Sequence, residues 1–465
     1  DPTISLKELS QRPIYLVGHQ PELYHHHVWL KNFVLHHLAR RDGPTAIHLL
    51  IDNDAAASTE IEVPSGTPQH PQLTRVPFDT ATATAAWEER RWQDRELFSS
   101  FAERVAKTVH PFVQEPLVTS LWQNADAALS TGNRLGMLLA QLRHRLELSW
   151  GLNTLEAPLS AVCRAPTYHW FVAALLQQLP RLQTSYNGML ADYRQLHRLR
   201  SASRPVPDLQ QHGDRLEAPL WIWTAAEPTR RRLWAQRKSH AIVLSDGENW
   251  SHELPVGDAD VSAIADALAE LAAAGVKIRP RALITTLYAR LVLSDRFIHG
   301  IGGAKYDAVT DRLSEDLFGI APPDSWTVTG TRLMPVERES IERESLDAIQ
   351  RSLRDLEYHP ENYLNENLSA SQQNEADSLV AQKHRLLHDA SSEKKDRQWH
   401  QAIGRLNQGL SAYVSDAREQ LELRREQLRQ KEAADKVLGR RDFAFCLFSE
   451  ASLRQWLLDA ADDAL

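Results

Sequence analysis

Apolar positions fall into short runs near the start of the chain and into spaced stripes towards its end. In RPIYLVGHQ, Ile14 to Val17 read as a short strand that stops at Gly18, with Pro21 marking the turn. From Val28 onward, apolar residues recur at Trp29, Phe33, Val34 and Leu38, the spacing of one helix face. TAIHLLIDND adds a second apolar run, Ile47 to Ile51, that ends in acids. Strand, loop, helix and strand within about forty residues form a βαβ pattern, which predicts parallel strands and a right-handed crossover. Open parallel sheets bind ligands outside the carboxyl ends of their strands. Gly18-His19-Gln20 and Asp52-Asn53-Asp54 both fall at such ends.

Further along, Leu135, Leu138, Leu139, Leu142 and Leu146 are spaced as a helix, with Gly151 as its stop. TYHWFVAALLQQLP predicts another helix, ended by Pro180. A Pro, Asp and Gly-rich loop around 201–219 precedes two strands, APLWIWTA and AIVLSDG; TRRRLW between them reads as a solvated helix start. DADVSAIADALAELAAAGVK is an amphipathic helix capped by Gly275. The glycine cluster of DRFIHGIGGAKYD precedes a helix at TDRLSEDLFG, and IAPPDSWTVTG reads as a turn and extended linker. From about 338, heptad-like spacing takes over at Leu346, Ile349, Leu353 and Leu356, and again at Trp399, Ile403, Leu406, Leu410, Tyr413 and Ala417. Two helical arms are expected, broken at Pro360. A strand from Phe443 to Phe448 and a short helix close the chain.

The expected organisation is an α/β core at 1–337 with helical insertions at about 87–180 and 255–275. A coiled-coil arm follows at 338–436, then a strand and helix at 437–465 that return to the core.

Composition narrows the function classes. The 465 residues are 42% apolar and 25% charged, an ordinary globular balance, and the net charge of −8 gives no basic surplus for nucleic acid. Cys163 and Cys446 are too few and too far apart for a disulfide framework or a metal spacing, so two buried thiols in a reducing, cytoplasmic setting are expected. No apolar stretch approaches the ~20 residues of a membrane span. The first residues, DPTISLKELSQRP, lack a basic-then-apolar signal pattern.

The candidate chemistry gathers in three places. At the first strand end, Gly18 opens the backbone, and His19 and Gln20 supply donors for a phosphate or carboxylate beside a helix N-terminus. The neighbouring His25, His26 and His27 are consecutive and cannot all face one metal from a regular element. With His36 and His37 they read as polar or hydrogen-bonded histidines rather than ligands, and no metal site is assigned. Asp52 and Asp54, two apart on a strand, would point the same way and hold an amine, a ribose or a divalent cation. Gly300, Gly302 and Gly303 form a side-chain-free rim, with Lys305 as an anion partner and Tyr306 as a ring contact; the spacing is neither a P-loop nor G-x-G-x-x-G. Arg279 and Arg281 flank Pro280 and would share a side, suited to a carboxylate or phosphate. The opening strand–loop–helix is also similar to nucleotidyl-transfer folds that hold ATP phosphates with a His-x-Gly-His element.

Taken in order, GHQPEL, IDND and FIHGIGGAKY, followed by heptads and a last strand, resemble the bacillithiol biosynthesis cysteine-adding enzyme family. Its loops typically read Gly-Gln-Gln-x-x-Leu, Glu-Asp-His-Asp and Gly-Pro-Gly-Glu-Ile-x-Tyr. Gly18, Gln20, Leu23, Asp52, Asp54, Gly300, Gly302 and Tyr306 match these motifs. The chain departs from them at His19, at His26 and His27, at Asn53, and at Gly303 and Lys305. The resemblance implies a Rossmann-like core and a helical coil that pairs subunits into a homodimer. It also implies a ligase of the kind that joins cysteine to glucosaminyl-malate through an amide bond, here joining cysteine or another small amine to a carboxylate or sugar-derived substrate, with ATP or ADP and magnesium as the expected cofactors. On this reading His19, Asp52, Asp54 and Lys305 carry the chemistry. Gly18, Gln20, His27, Arg279, Arg281, Gly300, Gly302, Gly303 and Tyr306 bind small-molecule substrates or nucleotide. The departures point to another amine, thiol or carboxylate substrate. Two readings compete: a nucleotidyltransferase that stops at an adenylate, and a non-catalytic nucleotide-binding module with a coiled-coil interaction arm.

Overall fold

The computed structural model describes residues 11–80, 85–201, 203–256, 261–337, 346–389 and 397–464. The expectations for the first ten residues and for the junction near 338 lie outside the described residues. The chain divides into two compact units. One comprises Asp1–Val63, Thr74–Leu333 and Arg441–Leu465; the other comprises Pro64–Leu73 and Met334–Arg440.

The first unit is built on a five-stranded parallel sheet. Strand Ile14–His19 lies beside Thr45–Leu50, with Val17 opposite His48, and helix His26–Asp42 makes the crossover. That helix buries Trp29, Leu30, Phe33, Val34, Leu35 and Leu38, so the apolar spacing in the sequence is its core face. It ends at Gly43, whose left-handed φ of 78° lets its N–H close on the Ala39 carbonyl. On the other side of Ile14–His19 runs Arg296–Gly300, and beyond it Ser325–Val328. Leu155–Pro158 completes the sheet beside Thr45–Leu50.

This order has a consequence for the site. Helix His26–Asp42 leads from Ile14–His19 to one side of the sheet, and helix Ile301–Phe318 leads from Arg296–Gly300 to the other. Two adjacent strands whose connections diverge leave a crevice at their carboxyl ends.

A second, antiparallel sheet runs Ser251–Pro255, Ala241–Ser245, Arg231–Arg237, Arg215–Thr224 and Val276–Pro280, with Gln211–His212 paired to Arg215–Thr224. Tyr168, Phe171, Leu220, Ile278, Tyr288 and Leu313 belong to one continuous apolar core with Leu16 and Leu49 of the parallel sheet.

Several expectations change here. TRRRLW is not a helix start: Arg231–Arg237 is a central strand, and its arginines pair with Glu217, Glu227 and Glu248. The expected linker contains the edge strand Ser325–Val328. Pro180 does not end a helix but sits in the first turn of the next, Leu179–Leu196, where its missing N–H costs nothing. Leu155–Pro158 carries a proline and little apolar signal, and its edge position tolerates both. Residues Phe443 to Phe448 are all buried but form no strand; a 3-10 turn, Phe445–Leu447, and isolated bridges from Ala444 to His25 and from Ser449 to Pro116 take its place. The Phe445 ring stacks 4.4 Å from Trp29, so ring packing rather than a ladder holds this segment.

In the second unit the heptad-spaced residues fall on three helices and a 3-10 turn rather than on two unbroken arms, and a fourth described helix, Ala370–Asp389, carries none of them. Leu346–Tyr358 packs on Ser415–Leu438, and Ala370–Asp389 packs on Arg397–Leu410. Pro360 opens a 3-10 turn, and Tyr413 lies in another between the last two helices. Lys383 is buried and ties this unit together, donating to the Tyr358 carbonyl at 2.7 Å and to Glu361 at 2.6 Å.

Candidate functional site

A cavity of about 890 Å³ opens in the first unit at the carboxyl ends of the parallel strands. Its wall takes in Gly18 and His19 at the end of the first strand, Gln20 just beyond it, and Asn53 and Asp54 after the second. Phe297 to Gly303 contribute from the strand and helix on the other side, and Trp221, Arg232 and Arg281 from the antiparallel sheet. Its size is that of a small-molecule site, ~300–1,000 Å³.

Two helices start at this cavity. Helix His26–Asp42 begins after His25, and helix Ile301–Phe318 begins after Gly300; neither has a side-chain cap. Uncapped N-terminal N–H groups and the helix dipole favour anions. Gly300 and Gly302 leave open space around their Cα atoms. At Gly303 an added Cβ would stand 2.9 Å from the His299 Nδ1, so the glycine makes room for that ring.

His299 is buried at the end of its strand, and its Nε2 lies 2.9 Å from Asp307 Oδ2. Arg290 lies 2.8 Å from the same carboxylate oxygen, and the Ser325 hydroxyl donates to it at 2.8 Å. Burial opposes the charge on Asp307, but the imidazole, Arg290 and Ser325 outweigh it and hold the carboxyl below its ordinary value. A carboxylate behind an imidazole fixes the orientation of the ring.

At the first loop, the buried Lys31 donates to the Gly18 carbonyl at 2.8 Å. Burial lowers its ammonium to about 8. His19 stacks edge-on to Tyr24 with ring centres 4.9 Å apart. Burial first, and then Lys31, keep its imidazole well below the usual histidine range. The His25 and His27 rings stack at 3.4 Å, and burial together with His25 pushes His27 down to about 4. These imidazoles are neutral at pH 7.

On the opposite wall, Trp221 carries the Arg281 guanidinium 4.6 Å from its ring centre and Arg230 at 4.8 Å. Arg281 pairs with the fully buried Glu217, and Arg232 reaches the same carboxylate at 3.3 Å. Arg230 donates to Asp54 at 3.1 Å, and Gln20 donates to Asp54 at 2.9 Å.

Nine of the residues expected from the sequence therefore meet at one cavity: Gly18, His19, Gln20, His27, Asp54, Arg281, Gly300, Gly302 and Gly303. Four do not line it. Asp52 lies beyond the strand end, where the chain turns, and so does not share a direction with Asp54. Its carboxylate accepts the Ser160 N–H at 2.8 Å and the Ser160 hydroxyl. Arg279 grips Glu88 at 2.8 and 3.0 Å, so it and Arg281 are drawn apart by different carboxylates. Lys305 and Tyr306 lie inside the helix, which begins at Ile301 rather than after the glycines. The helical turn carries Lys305 into solvent and Tyr306 against Tyr193 at 5.8 Å. Lys31, His299 and Asp307 were missed. Lys31 had a signal in sequence, as a lone charge inside an apolar helix face; the His299–Asp307 pairing, eight positions apart across a strand end and a helix, had none.

The remaining histidines and cysteines have ordinary surroundings. His36 accepts the Asn153 N–H at 3.1 Å, His37 lies 2.8 Å from Asp462, and the buried His26 accepts the Arg332 N–H at 3.0 Å. Burial pushes both cysteine thiols up to about 12, far from thiolate chemistry. Among the described residues one trio, His144, Glu147 and Glu156, brings ligand atoms within 4.8 Å of one another, and Arg143 already bridges its two carboxylates.

No family model and no curated protein matches the chain. The parallel sheet with its flanking helices is a mixed α/β fold, and no described helix is long and apolar enough to cross a membrane.

Proposed function

We propose that this chain is an enzyme with a Rossmann-like core that joins two small polar molecules, one of them anionic, in a ligase-type reaction. The observation that carries the proposal is the cavity's position. It lies where the strand order reverses, with two uncapped helix starts and the loops that resemble those of the cysteine-adding family around it.

The residues divide the work by chemistry. The helix starts at His26 and Ile301 seat anionic oxygens, and Gln20, Asp54 and Arg230 form one polar corner for an amine or a ribose. Arg281, fixed on Trp221 and neutralised by Glu217, shapes the far wall. His299 takes the proton from the attacking amine or thiol, with Asp307 stabilising the imidazolium. Catalysis here is mainly positioning and charge stabilisation.

The uncapped helix starts fit the phosphates of ATP, whose binding would supply activation of a carboxylate. Magnesium fits less well. Of the residues lining the cavity only Asp54 bears a carboxylate, and Arg230 and Gln20 hold it.

The direct test is mass spectrometry of products from cysteine and glucosaminyl-malate, with and without ATP and magnesium. A product at the condensed mass is expected, or at the corresponding mass for another amine when a panel is offered. Pyrophosphate release without condensation would instead place the chain with enzymes that stop at an adenylate. Pairing of subunits through the helical unit belongs to the same proposal. Leu423 and Tyr358, 60% and 62% exposed on its helices, supply apolar surface for it. Sedimentation equilibrium of the full chain is expected to give twice the chain mass.

A further inference from the structure

Among the described residues, no carboxylate forms an ion pair with Lys31. Its side chain is 5% exposed, yet it borders the cavity beside Gly18, His19 and His27. An ammonium has three donors. One goes to the Gly18 carbonyl. Asp54, the one carboxylate among the residues lining the cavity, is held by Arg230, and the buried pair Glu147 and Glu156 by Arg143. Burial is what shifts it, and the titratable groups that share the surroundings of Lys31 are imidazoles together with Asp442, whose charge acts on His25 and His27. His19 and His25 both feel its charge, and His48 adds to the same field at His19. All three are lowered by burial and bring no negative charge.

Isolated buried ammonium groups are costly and are normally paired or displaced. This one is kept in the wall of a ligand-sized cavity, beside two uncapped helix starts that favour negative charge. We infer that Lys31 is a binding residue for an anionic oxygen group, phosphoryl or carboxylate, on the ligand of this cavity. The inference rests on the cavity being the ligand site, as proposed above, but not on the reaction carried out there.

The anion supplies the missing counter-charge. Burial alone lowers the Lys31 ammonium to about 8. A bound anion stabilises the protonated form and raises it again. Binding near pH 8–9 therefore takes up a proton, and affinity falls as pH rises through that range. The neighbouring imidazoles are already neutral there and do not contribute.

The test is calorimetric titration of the full-length chain with sulfate, inorganic pyrophosphate and malate. Sulfate keeps its charge across the range, so its pH profile reads the protein alone. Expected are binding with proton uptake near pH 8.5, measured in two buffers of different ionisation enthalpy, and a roughly thirtyfold or greater loss in Lys31→Met. Lys31→Arg is expected to bind but to lose the proton uptake. Pyrophosphate binding more tightly than malate identifies a phosphoryl ligand, and the reverse identifies a carboxylate ligand; both support the inference. Two results overturn it: none of the three anions binds the folded wild-type chain, or binding occurs without proton uptake and survives unchanged in a folded Lys31→Met. Failure to condense cysteine with glucosaminyl-malate, with anion binding intact, would remove the ligase reading and leave this one standing.

Discussion

Asp52 and His299 exchange roles once side-chain partners are known. Asp52 seemed suited to chemistry, ending a strand as Asp-Asn-Asp, yet its oxygens are taken by Ser160. Burial outweighs those hydrogen bonds and pushes its carboxyl up to about 6, above the ~3.9 of an unfolded chain. A raised acid favours the fold at low pH, fully below about pH 4, and that contribution is lost as pH rises through about 6. Asp52→Asn removes the charge, keeps an acceptor for the Ser160 N–H, and lets its amide donate to the Ser160 hydroxyl in place of accepting from it. Urea unfolding should find it as stable as wild type below about pH 4 and more stable, by about 2–3 kcal/mol, at pH 7. Turnover should survive; an inactive but equally stable variant would restore Asp52 to the chemistry. His299 behaves oppositely. His299→Ala should lower turnover by about 10²–10⁴-fold without changing anion binding. Gly303→Ala should approach that loss, because its Cβ would fall 2.9 Å from the His299 Nδ1 and turn the ring. Full activity in both variants would dismiss His299 as the proton-transfer group.

At the level of elements, a buried polar network joins the first two strands' surroundings to helix Leu135–Ser149. Glu147, fully buried, accepts from Trp29 at 2.5 Å, from Asn32 at 2.7 Å and from Arg143 at 2.7 Å. Arg143 also pairs with Glu156, which lies 3.0 Å from His48. Burial opposes ionisation of both acids, and Arg143 outweighs it, so both are held below the usual carboxylate range. Acids lowered by folding add stability above their unfolded value of ~4.3, and it is lost as pH falls further. Glu147→Gln leaves Arg143 with one carboxylate in a dry interior and should cost about 3–5 kcal/mol in a denaturant melt. It should also flatten the acid limb of the stability curve. A change within error of wild type would show that the network is dispensable. The same helix approaches the first loop closely at Gly136, where a Cβ would meet Pro21 at 2.9 Å and Trp87 at 3.2 Å. Gly136→Val should therefore disturb the cavity loop as well as stability.

On the scale of the whole molecule, the cavity draws on segments around residues 18, 54, 221, 281 and 299, which only the sheet order brings together. The helical unit has its own buried residues, among them Ile349, Leu356, Ala376, Leu410 and Leu428. A fragment spanning residues 334–440 is expected to show helical circular dichroism and a cooperative melt. A featureless spectrum would mean that this unit needs the rest of the chain.

The sequence by itself determined the βαβ start, the helix face from Trp29 to Leu38, and the glycine rim at Gly300 to Gly303. These depend on local spacing and backbone freedom, which a short window contains. It also placed most of the cavity, because strand ends can be read from where apolar runs stop. Only the tertiary structure decided which charges are free and which are spent. Asp52 and Arg279 look alike in sequence to residues that face a ligand, and Arg281, which does line the cavity, looks like a free charge. Their partners, Ser160, Glu88 and Glu217, lie 108, 191 and 64 positions away and set their direction. Lys31 and His299 carry the converse lesson. A buried charge gains its meaning from the counter-charges around it, and those are fixed by packing across the sheet rather than by neighbours along the chain.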